Sequence, residues 1–334
     1  MTKQPLLAVE GLEIVIRRKD KLTPVVRQLS FTIEQGEIFG LVGESGCGKT
    51  LTCLSILNLL PSGIDKAAGN IRLNGTNLGE LSREGWRRLR GDKVALIAQN
   101  PMSAFNAIRT IGDHFTETLL AHGKSDTRAA RETAIAYLTR VGLPDAPLLL
   151  RQYPFELSGG MLQRVIIAIA LAQKPDLIIA DEPTTALDAT SQVQILDLLA
   201  EVRREFGTSI LLISHDLGVI ARLADSVAVM FGGQIVEQAT VAALFAQPLH
   251  PYTQALMNAR RSIGLARRQR LPLSLARPAT TIKTSLVTTG CGFAGRCPHV
   301  NGACRLLLPG QAENYAGSHW VHCRNVAGSQ REAL

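Results

Sequence analysis

A glycine-rich loop is the feature that most constrains the fold of this 334-residue chain. Residues 43–50 read GESGCGKT and match the pattern G-x-x-x-x-G-K-[ST]. The apolar run Ile38–Val42 predicts a strand before the loop, and Leu51–Leu60 predicts a helix after it, ended by Pro61. Glycines let backbone N–H groups wrap phosphates, and the helix points the positive end of its dipole at them. The sequence therefore predicts an α/β fold with a phosphate site.

Two side chains at the end of this loop add specific chemistry. Lys49 is long enough to reach the β- and γ-phosphates of a nucleotide, and the Thr50 hydroxyl is placed to bind Mg²⁺. We interpret Cys47 as a small spacer within the loop and Cys53 as a core residue. The predicted nucleotide contacts are Gly43, Glu44, Ser45, Gly46, Cys47, Gly48, Lys49, Thr50 and Leu51.

An acidic pair follows a second predicted strand. Residues 177–182 read LIIADE, and the apolar part is typical of a strand buried in a parallel sheet. Asp181 at the end of this strand is placed to hold Mg²⁺ through water, and Glu182 to accept a proton from an attacking water. With the glycine-rich loop, the pair predicts hydrolysis of a nucleoside triphosphate.

Residues 157–164, LSGGMLQR, predict a second phosphate cradle that has no lysine. Ser158 is placed to cap a helix that runs from Met161 to Ala172. Gly159 and Gly160 leave backbone N–H groups open to an anion.

Together these motifs give residues 6–250 a resemblance to the ATP-binding subunit of an ABC transporter. The resemblance implies a P-loop NTPase fold of ABC type, with a mostly parallel sheet, additional antiparallel strands and a helical subdomain at about residues 100–172. A small basic, Cys-rich extension would occupy residues 251–334. ATP and Mg²⁺ would be clamped between residues 43–50 of one copy and residues 157–164 of another.

The resemblance also implies roles for single residues. Glu182 would be the general base, His215 would steady the γ-phosphate, and Gln99 would sense it. Thr50, Gln99 and Asp181 would bind Mg²⁺. The residues implied to contact ATP bound to the partner copy are Ser158, Gly159, Gly160, Gln163 and Asp188, the last in the triplet Ala186-Leu187-Asp188.

A peptide- and nickel-importer branch of this family is indicated by further segments. The segments that resemble nickel-importer ATPases are residues 99–106, 153–164, 221–230 and 235–238. Residues 250–256 and the Cys-rich tail resemble instead those of oligopeptide and dipeptide importers. We therefore predict import of nickel or a metal chelate, with di- or oligopeptides as the alternative. The implied partners are a second ATPase subunit of the same or another kind, two permease subunits and an extracytoplasmic binding protein. The predicted location is the cytoplasmic face of the bacterial plasma membrane.

Four cysteines crowd into the tail with the spacing C-x5-C-x6-C-x18-C. Four thiolates suit a [4Fe–4S] cluster or a tetrahedral zinc ion. The lack of closely spaced Cys pairs, and the resemblance to peptide-importer tails, favour iron–sulfur; zinc and reduced thiols stay open. The predicted ligands are Cys291, Cys297, Cys304 and Cys323.

The charge distribution raises two alternatives, a protein that acts on nucleic acid and an exporter, and other features of the sequence argue against both. The net charge is +8, and residues 239–312 hold nine basic residues and no acidic one. Such a tail can bind nucleic acid or anionic lipid headgroups, or form a solvated surface. The interval between the two phosphate motifs contains no heptad run, which argues against an ABC protein acting on nucleic acid, and the tail argues against an exporter. The longest apolar run, Val165–Ala172, is too short to span a membrane, and the N-terminus predicts no secretory signal.

Overall fold

The computed structural model describes residues 4–18, 21–123, 126–185, 187–261, 290–306, 313–316 and 319–323. The chain divides into two compact units built from interleaved segments. The first unit comprises Met1–Ala8, Thr32–Phe39 and Ile71–Ser214. The second comprises Val9–Phe31, Gly40–Asn70 and His215–Leu334. None of the described helices combines the length and the apolar character needed to cross a bilayer.

The strands within the described residues are β1 (Leu7–Arg18), β2 (Lys21–Ile33), β3 (Ile38–Gly43), β4 (Ile64–Leu73), β5 (Thr76–Asn77), β6 (Val94–Ile97), β7 (Leu177–Asp181), β8 (Ser209–Ser214), β9 (Ser226–Phe231), β10 (Gln234–Thr240), β11 (Glu313–Ala316) and β12 (His319–Val321). The α-helices are α1 (Lys49–Ile56), α2 (Arg83–Asp92), α3 (Ile111–Ala121), α4 (Thr127–Arg140), α5 (Ala146–Leu149), α6 (Gly159–Ala172), α7 (Ala189–Phe206), α8 (Leu217–Leu223), α9 (Val241–Ala246), α10 (Pro251–Arg261) and α11 (Gly302–Leu306).

A parallel sheet forms the core of the first unit. β6 pairs with β7 and β7 with β8, with Val94 opposite Leu177 and Leu177 opposite Ser209. Every residue of β7 and β8 is buried. This confirms the parallel strand predicted from the apolar run before Asp181, because strands covered on both faces have continuous apolar sequences. Asp181 thereby lies at the carboxyl end of a buried strand.

The helical region predicted at residues 101–172 is confirmed in the first unit. α4 packs against both α3 and α6. Polar side chains cap the starts of these helices: Thr110 and Asp113 form a reciprocal capping box at α3, and Asp126 accepts the Ala129 N–H at α4. Such caps satisfy the first N–H groups of a helix, which have no partner within the helix.

The predicted strand, loop and helix follow one another in order as β3, residues 43–48 and α1, although the helix is shorter than predicted. α1 ends at Ile56 and not at Leu60. Asn58 adopts a left-handed φ of 52°, and the Leu59 N–H donates to the Leu54 carbonyl at 2.8 Å. Asparagine tolerates this conformation, so the helix closes one turn before Pro61.

The C-terminal tail extends an antiparallel sheet in the second unit. β9 pairs with β10, β10 with β12, and β12 with β11. Glu237 of β10 lies opposite Val321 of β12, and the His322 N–H donates to the Val236 carbonyl at 2.8 Å. The domain boundary predicted at residue 250 lies inside this unit and stays a prediction.

Glu237 links this sheet to the start of α10. Its side chain is fully buried and accepts the N–H groups of Leu249 at 2.7 Å and His250 at 2.9 Å. The ring Nε2 of His319, in β12, donates to the same carboxylate at 2.8 Å. One buried carboxylate therefore holds both the turn before α10 and the tail strand.

His250 should make the fold sensitive to acid. Burial lowers the pKa of His250 from 6.5 to about 4, and its Nδ1 accepts the Tyr252 N–H. Between a pH of about 6.5 and a pH of about 4, the His250 ring binds a proton in the unfolded chain but not in the folded chain. The free energy of unfolding therefore falls as the pH falls, by up to ~3 kcal/mol at about pH 4. Urea unfolding should show a smaller loss between about pH 7 and pH 4 in His250→Gln than in wild type. Equal losses would contradict this prediction.

Candidate functional site

The glycine-rich loop closes so tightly that two of its positions require glycine. A Cβ atom at Gly43 would lie 2.2 Å from the Met230 carbonyl oxygen. One at Gly48 would lie 2.9 Å from side-chain atoms of Met230 and Val26, and the φ of Gly48 is 109°. A Cβ at Gly46 would meet nothing within 4 Å, but its φ of 79° is also left-handed. The backbone of this loop is therefore shaped as the phosphate cradle requires.

Lys49 lies inside this loop. Its side chain is buried, and Nζ donates to the carbonyls of Gly43 at 2.8 Å and Glu44 at 3.0 Å. Burial raises the pKa of the Cys47 thiol, an effect that Lys49 partly offsets, which fits a spacer residue. Ser45 and Thr50 are exposed, and Leu51 is half-buried. The ammonium group and the exposed hydroxyl suit a phosphate chain and Mg²⁺, respectively.

Two tail residues hold Glu44, the second residue of this loop, and the sequence did not predict either. The Tyr252 hydroxyl accepts the Glu44 N–H at 3.0 Å. The Arg296 guanidinium donates to both carboxylate oxygens of Glu44, at 2.8 and 3.0 Å. Such contacts have no local sequence signal, because Tyr252 and Arg296 lie 208 and 252 residues along the chain from Glu44.

In the first unit the structure brings Gln99 and Glu182 together. Gln99 Nε2 donates to Glu182 Oε2 at 3.1 Å, and the Thr185 hydroxyl donates to the same oxygen at 2.7 Å. Glu182 follows β7 with a left-handed φ of 47°, a strained conformation that recurs at functional sites. Thr185 is a residue the sequence analysis missed; its place in the turn after Glu182 was the available signal.

The remaining predicted catalytic and Mg²⁺-binding residues are divided between the two units. Asp181 is buried at the end of β7 in the first unit, and His215 is exposed between β8 and α8 in the second. Carboxylate and hydroxyl oxygens such as those of Asp181 and Thr50 are hard ligands of the kind Mg²⁺ prefers.

The second phosphate motif starts α6, which begins at Gly159, two residues before the predicted start at Met161. The Ser158 hydroxyl accepts the Met161 N–H at 3.3 Å, which confirms the predicted cap. Gly159 is exposed, and a Cβ there would meet nothing within 4 Å. Gln163 is instead buried, so its side chain does not share the exposed surface of Ser158 and Gly159.

Asp188 acts as the N-cap of α7. Its Oδ1 accepts the N–H groups of Thr190 and Ser191, each at 3.0 Å. The hydrogen bond from the Ser191 hydroxyl is the largest cause of the lowered pKa of Asp188. Ala186, in the same predicted motif, lies outside the described residues.

The tail cysteines do not form the four-thiolate site that their spacing predicts. The Cys291 N–H donates to the Cys304 carbonyl at 2.7 Å, and burial raises the pKa of the Cys291 and Cys297 thiols. Cys323 packs against a separate cluster of Leu249 and Val321. Within the described part of the chain, no three His, Cys, Asp or Glu side chains are grouped to hold a metal ion. The cluster therefore stays a prediction from the sequence, and no step of the proposed chemistry uses it.

Comparison with known proteins finds matches for both the nucleotide-binding region and the C-terminal tail. Residues 26–185 match the family model described as ABC transporter. Residues 236–304 match the model described as oligopeptide/dipeptide transporter, C-terminal region. The probable peptide ABC transporter ATP-binding protein y4tR of Sinorhizobium fredii is 44% identical over 95% of this chain and 94% of its own length. The dipeptide transport ATP-binding protein DppD of Bacillus subtilis is 41% identical over 96% of this chain and 94% of its own.

Solved structures confirm the predicted fold class. The ATP-binding cassette MJ0796, a dimer bound to ADP and Pi, aligns with a TM-score of 0.64 and 23% identity, covering 70% of this chain and 98% of its own. CbiO1 of Clostridium perfringens aligns with a TM-score of 0.63 and 24% identity, covering 78% of this chain and 98% of its own. Both likenesses concern the fold alone.

Proposed function

The chain belongs to the ABC transporter ATP-binding proteins of the peptide-importer type, and we propose that it powers the import of dipeptides or oligopeptides. In this proposal it hydrolyses ATP at the cytoplasmic face of the plasma membrane as one of a pair of ATPase subunits. The pair drives two permease subunits, which receive peptide from an extracytoplasmic binding protein.

The observation that carries the peptide proposal is the likeness to peptide transporters along nearly the whole chain. The relatives described above are peptide and dipeptide transport proteins by name and cover 95% and 96% of this chain. The match to the oligopeptide/dipeptide model includes the tail up to residue 304. The nickel prediction depended on four short segments, residues 99–106, 153–164, 221–230 and 235–238. We therefore favour the peptide alternative over nickel.

The contacts of Glu182 within the first unit, with the roles that the family resemblance implies, support a simple mechanism for hydrolysis. Glu182 takes a proton from the attacking water while the oxygen of that water bonds to the γ-phosphorus. The bond between the γ-phosphorus and the oxygen that stays on ADP breaks in the same step. The donors Gln99 and Thr185 orient the Glu182 carboxylate for this step. Lys49 balances the charge of the phosphates, and His215 steadies the γ-phosphate. Thr50, Gln99 and Asp181 would hold Mg²⁺, which neutralises charge on the phosphate oxygens when bound.

Growth of an auxotroph on peptides tests this proposal. The host lacks its own copy of this subunit and receives an essential amino acid only as a dipeptide or an oligopeptide. We expect wild type to restore growth and Lys49→Ala not to, with accumulation of radioactive nickel equal in both strains. Loss of nickel accumulation in Lys49→Ala, with growth on peptides retained, would contradict the peptide proposal.

A small exposed apolar patch in the first unit, formed by Tyr153 and Phe155, is our proposed permease contact. The Phe155 side chain is 64% exposed and that of Tyr153 is 37% exposed. The rings of Tyr153 and Phe155 stack with centroids 5.5 Å apart. Exposed apolar groups of this size mark protein interaction sites.

Phe155→Asp should separate transport from ATP hydrolysis. A buried charge in the permease contact should lower peptide uptake more than about tenfold. The ATPase rate of the purified chain should stay within about twofold, because Phe155 takes no part in the chemistry. Leu22→Asp, at another exposed apolar side chain, is the matched control. Wild-type peptide uptake by the Phe155→Asp variant would show that this patch does not contact the permease.

We propose from the cysteine spacing that the tail binds a [4Fe–4S] cluster, and metal analysis of the purified protein tests this. A [4Fe–4S] cluster would make the anaerobically purified protein brown, and Cys297→Ser would lose both colour and iron. A colourless wild-type protein with stoichiometric zinc would show that the cysteines bind zinc and not a cluster. A colourless protein without metal would show that they are reduced thiols.

A further inference from the structure

The C-terminal tail contacts the glycine-rich loop at Glu44, and this contact has consequences for nucleotide binding. Three groups of Glu44 are held within the second unit: its N–H by the Tyr252 hydroxyl, its carbonyl by Lys49, and its carboxylate by Arg296. Lys49 is the residue proposed to reach the phosphates. The Glu44 carboxylate is thus a negative charge attached to the loop that is to receive an anion.

An uncompensated carboxylate at this position would repel the phosphates of a nucleotide. Arg296 meets it with two parallel hydrogen bonds at 2.8 and 3.0 Å, the geometry in which arginine pairs most strongly with a carboxylate. The Arg296 side chain is 26% exposed and that of Glu44 is 41% exposed. The pair is partly shielded from water, so its charges are screened less than those of fully exposed groups.

Aromatic rings fix Arg296 in place. Its guanidinium carbon lies 5.7 Å from the ring centroid of Phe231 and 5.6 Å from that of Phe293. Phe293 packs edge-on against Tyr252, with ring centroids 5.5 Å apart. Burial raises the pKa of Tyr252, so its phenol stays protonated beside Glu44. The tail therefore forms a preorganised support behind the loop.

We infer that Arg296 and Tyr252 are positioning residues for nucleotide binding, through which the C-terminal tail neutralises Glu44 and fixes the glycine-rich loop. The inference rests on the proposed nucleotide site at residues 43–50. It makes the state of the tail a control on ATP affinity: any event that withdraws Arg296 leaves an uncompensated negative charge on the loop.

Nucleotide titrations of the purified full chain test this inference. A fluorescent ATP analogue should bind Arg296→Met about 3- to 10-fold more weakly than wild type. The double variant Arg296→Met/Glu44→Gln should return to within about twofold of wild type, because it removes the repelling charge. The loss in Arg296→Met should shrink as salt is raised from about 0.05 to about 0.5 M. Arg305→Met, which removes an exposed charge from the same tail, should bind as wild type.

Single substitutions at Glu44 and Tyr252 keep the inference testable if Arg296→Met fails to fold. Glu44→Gln alone should bind nucleotide more tightly than wild type, because the Arg296 charge is then uncompensated beside the loop, whereas a merely structural ion pair predicts weaker binding. Tyr252→Phe keeps the ring and loses the acceptor, and should weaken binding about threefold. Wild-type affinity in Arg296→Met, or no recovery in the double variant, would overturn the inference. Unchanged binding by Lys49→Ala would instead overturn the proposed nucleotide site.

Discussion

Glu182→Gln is expected to lower the ATP turnover of the assembled transporter by at least about 100-fold. ATP affinity should stay within about twofold of wild type, because the amide has nearly the shape of the carboxylate. The reason is the position of Glu182: it follows β7, and Gln99 and Thr185 both donate to its Oε2. An amide at this position cannot accept the proton of the attacking water. Steady-state phosphate release and nucleotide titration measure the two quantities.

The matched control for this prediction is Glu201→Gln, which makes the same change at an exposed position of α7. It should retain wild-type turnover. A second variant, Thr185→Val, should reduce turnover less than Glu182→Gln, because it removes one of the two donors and leaves the base. Turnover of Glu182→Gln at the wild-type rate would remove Glu182 from the role of base.

Glu237→Ala is expected to destabilise the second unit by ~3 kcal/mol or more. The change leaves the N–H groups of Leu249 and His250 and the ring of His319 without their common acceptor. Glu237 is 0% exposed, so water does not replace the lost carboxylate without local opening. We also expect the pairing of β10 with β12 to loosen, which hydrogen exchange at the His322 N–H would detect.

Glu201→Ala is the control for general effects of removing a carboxylate, and it should stay within ~0.5 kcal/mol of wild type in urea unfolding. Glu237→Gln keeps one acceptor oxygen and should cost less than Glu237→Ala. If Glu237→Ala unfolds at the wild-type urea concentration, the carboxylate does not hold the tail in the way the structure indicates.

Much of the fold could be predicted because its signals are local. The apolar run at residues 177–180 predicted a buried parallel strand. The dipeptide Asn74-Gly75 is a local signal for a hairpin turn, and its φ angles of 48° and 78° are left-handed. The tail helix α10 was missed, although Pro251 at its first position is a start signal for helices. The tail strands β11 and β12 had no such signal.

The parts of the site within single motifs were predictable, and the parts that join distant segments were not. The loop at residues 43–50 and the Ser158 cap follow from spacing alone. Tyr252 and Arg296 reach Glu44 because the tail folds back within the second unit, and nothing near them in sequence indicates this partner. The four cysteines are the opposite case: their spacing predicts a cluster, but no three His, Cys, Asp or Glu side chains of the described residues are grouped to hold a metal ion.

Peptide-dependent ATP hydrolysis by the reconstituted transporter tests the central claim most directly. The complete transporter, with this chain in place, is inserted in lipid vesicles, and its binding protein is supplied outside with a mixture of peptides or with chelated nickel. We predict that peptides raise the ATPase rate and accumulate in the vesicles, and that nickel does neither. Stimulation and uptake with nickel alone would contradict the account.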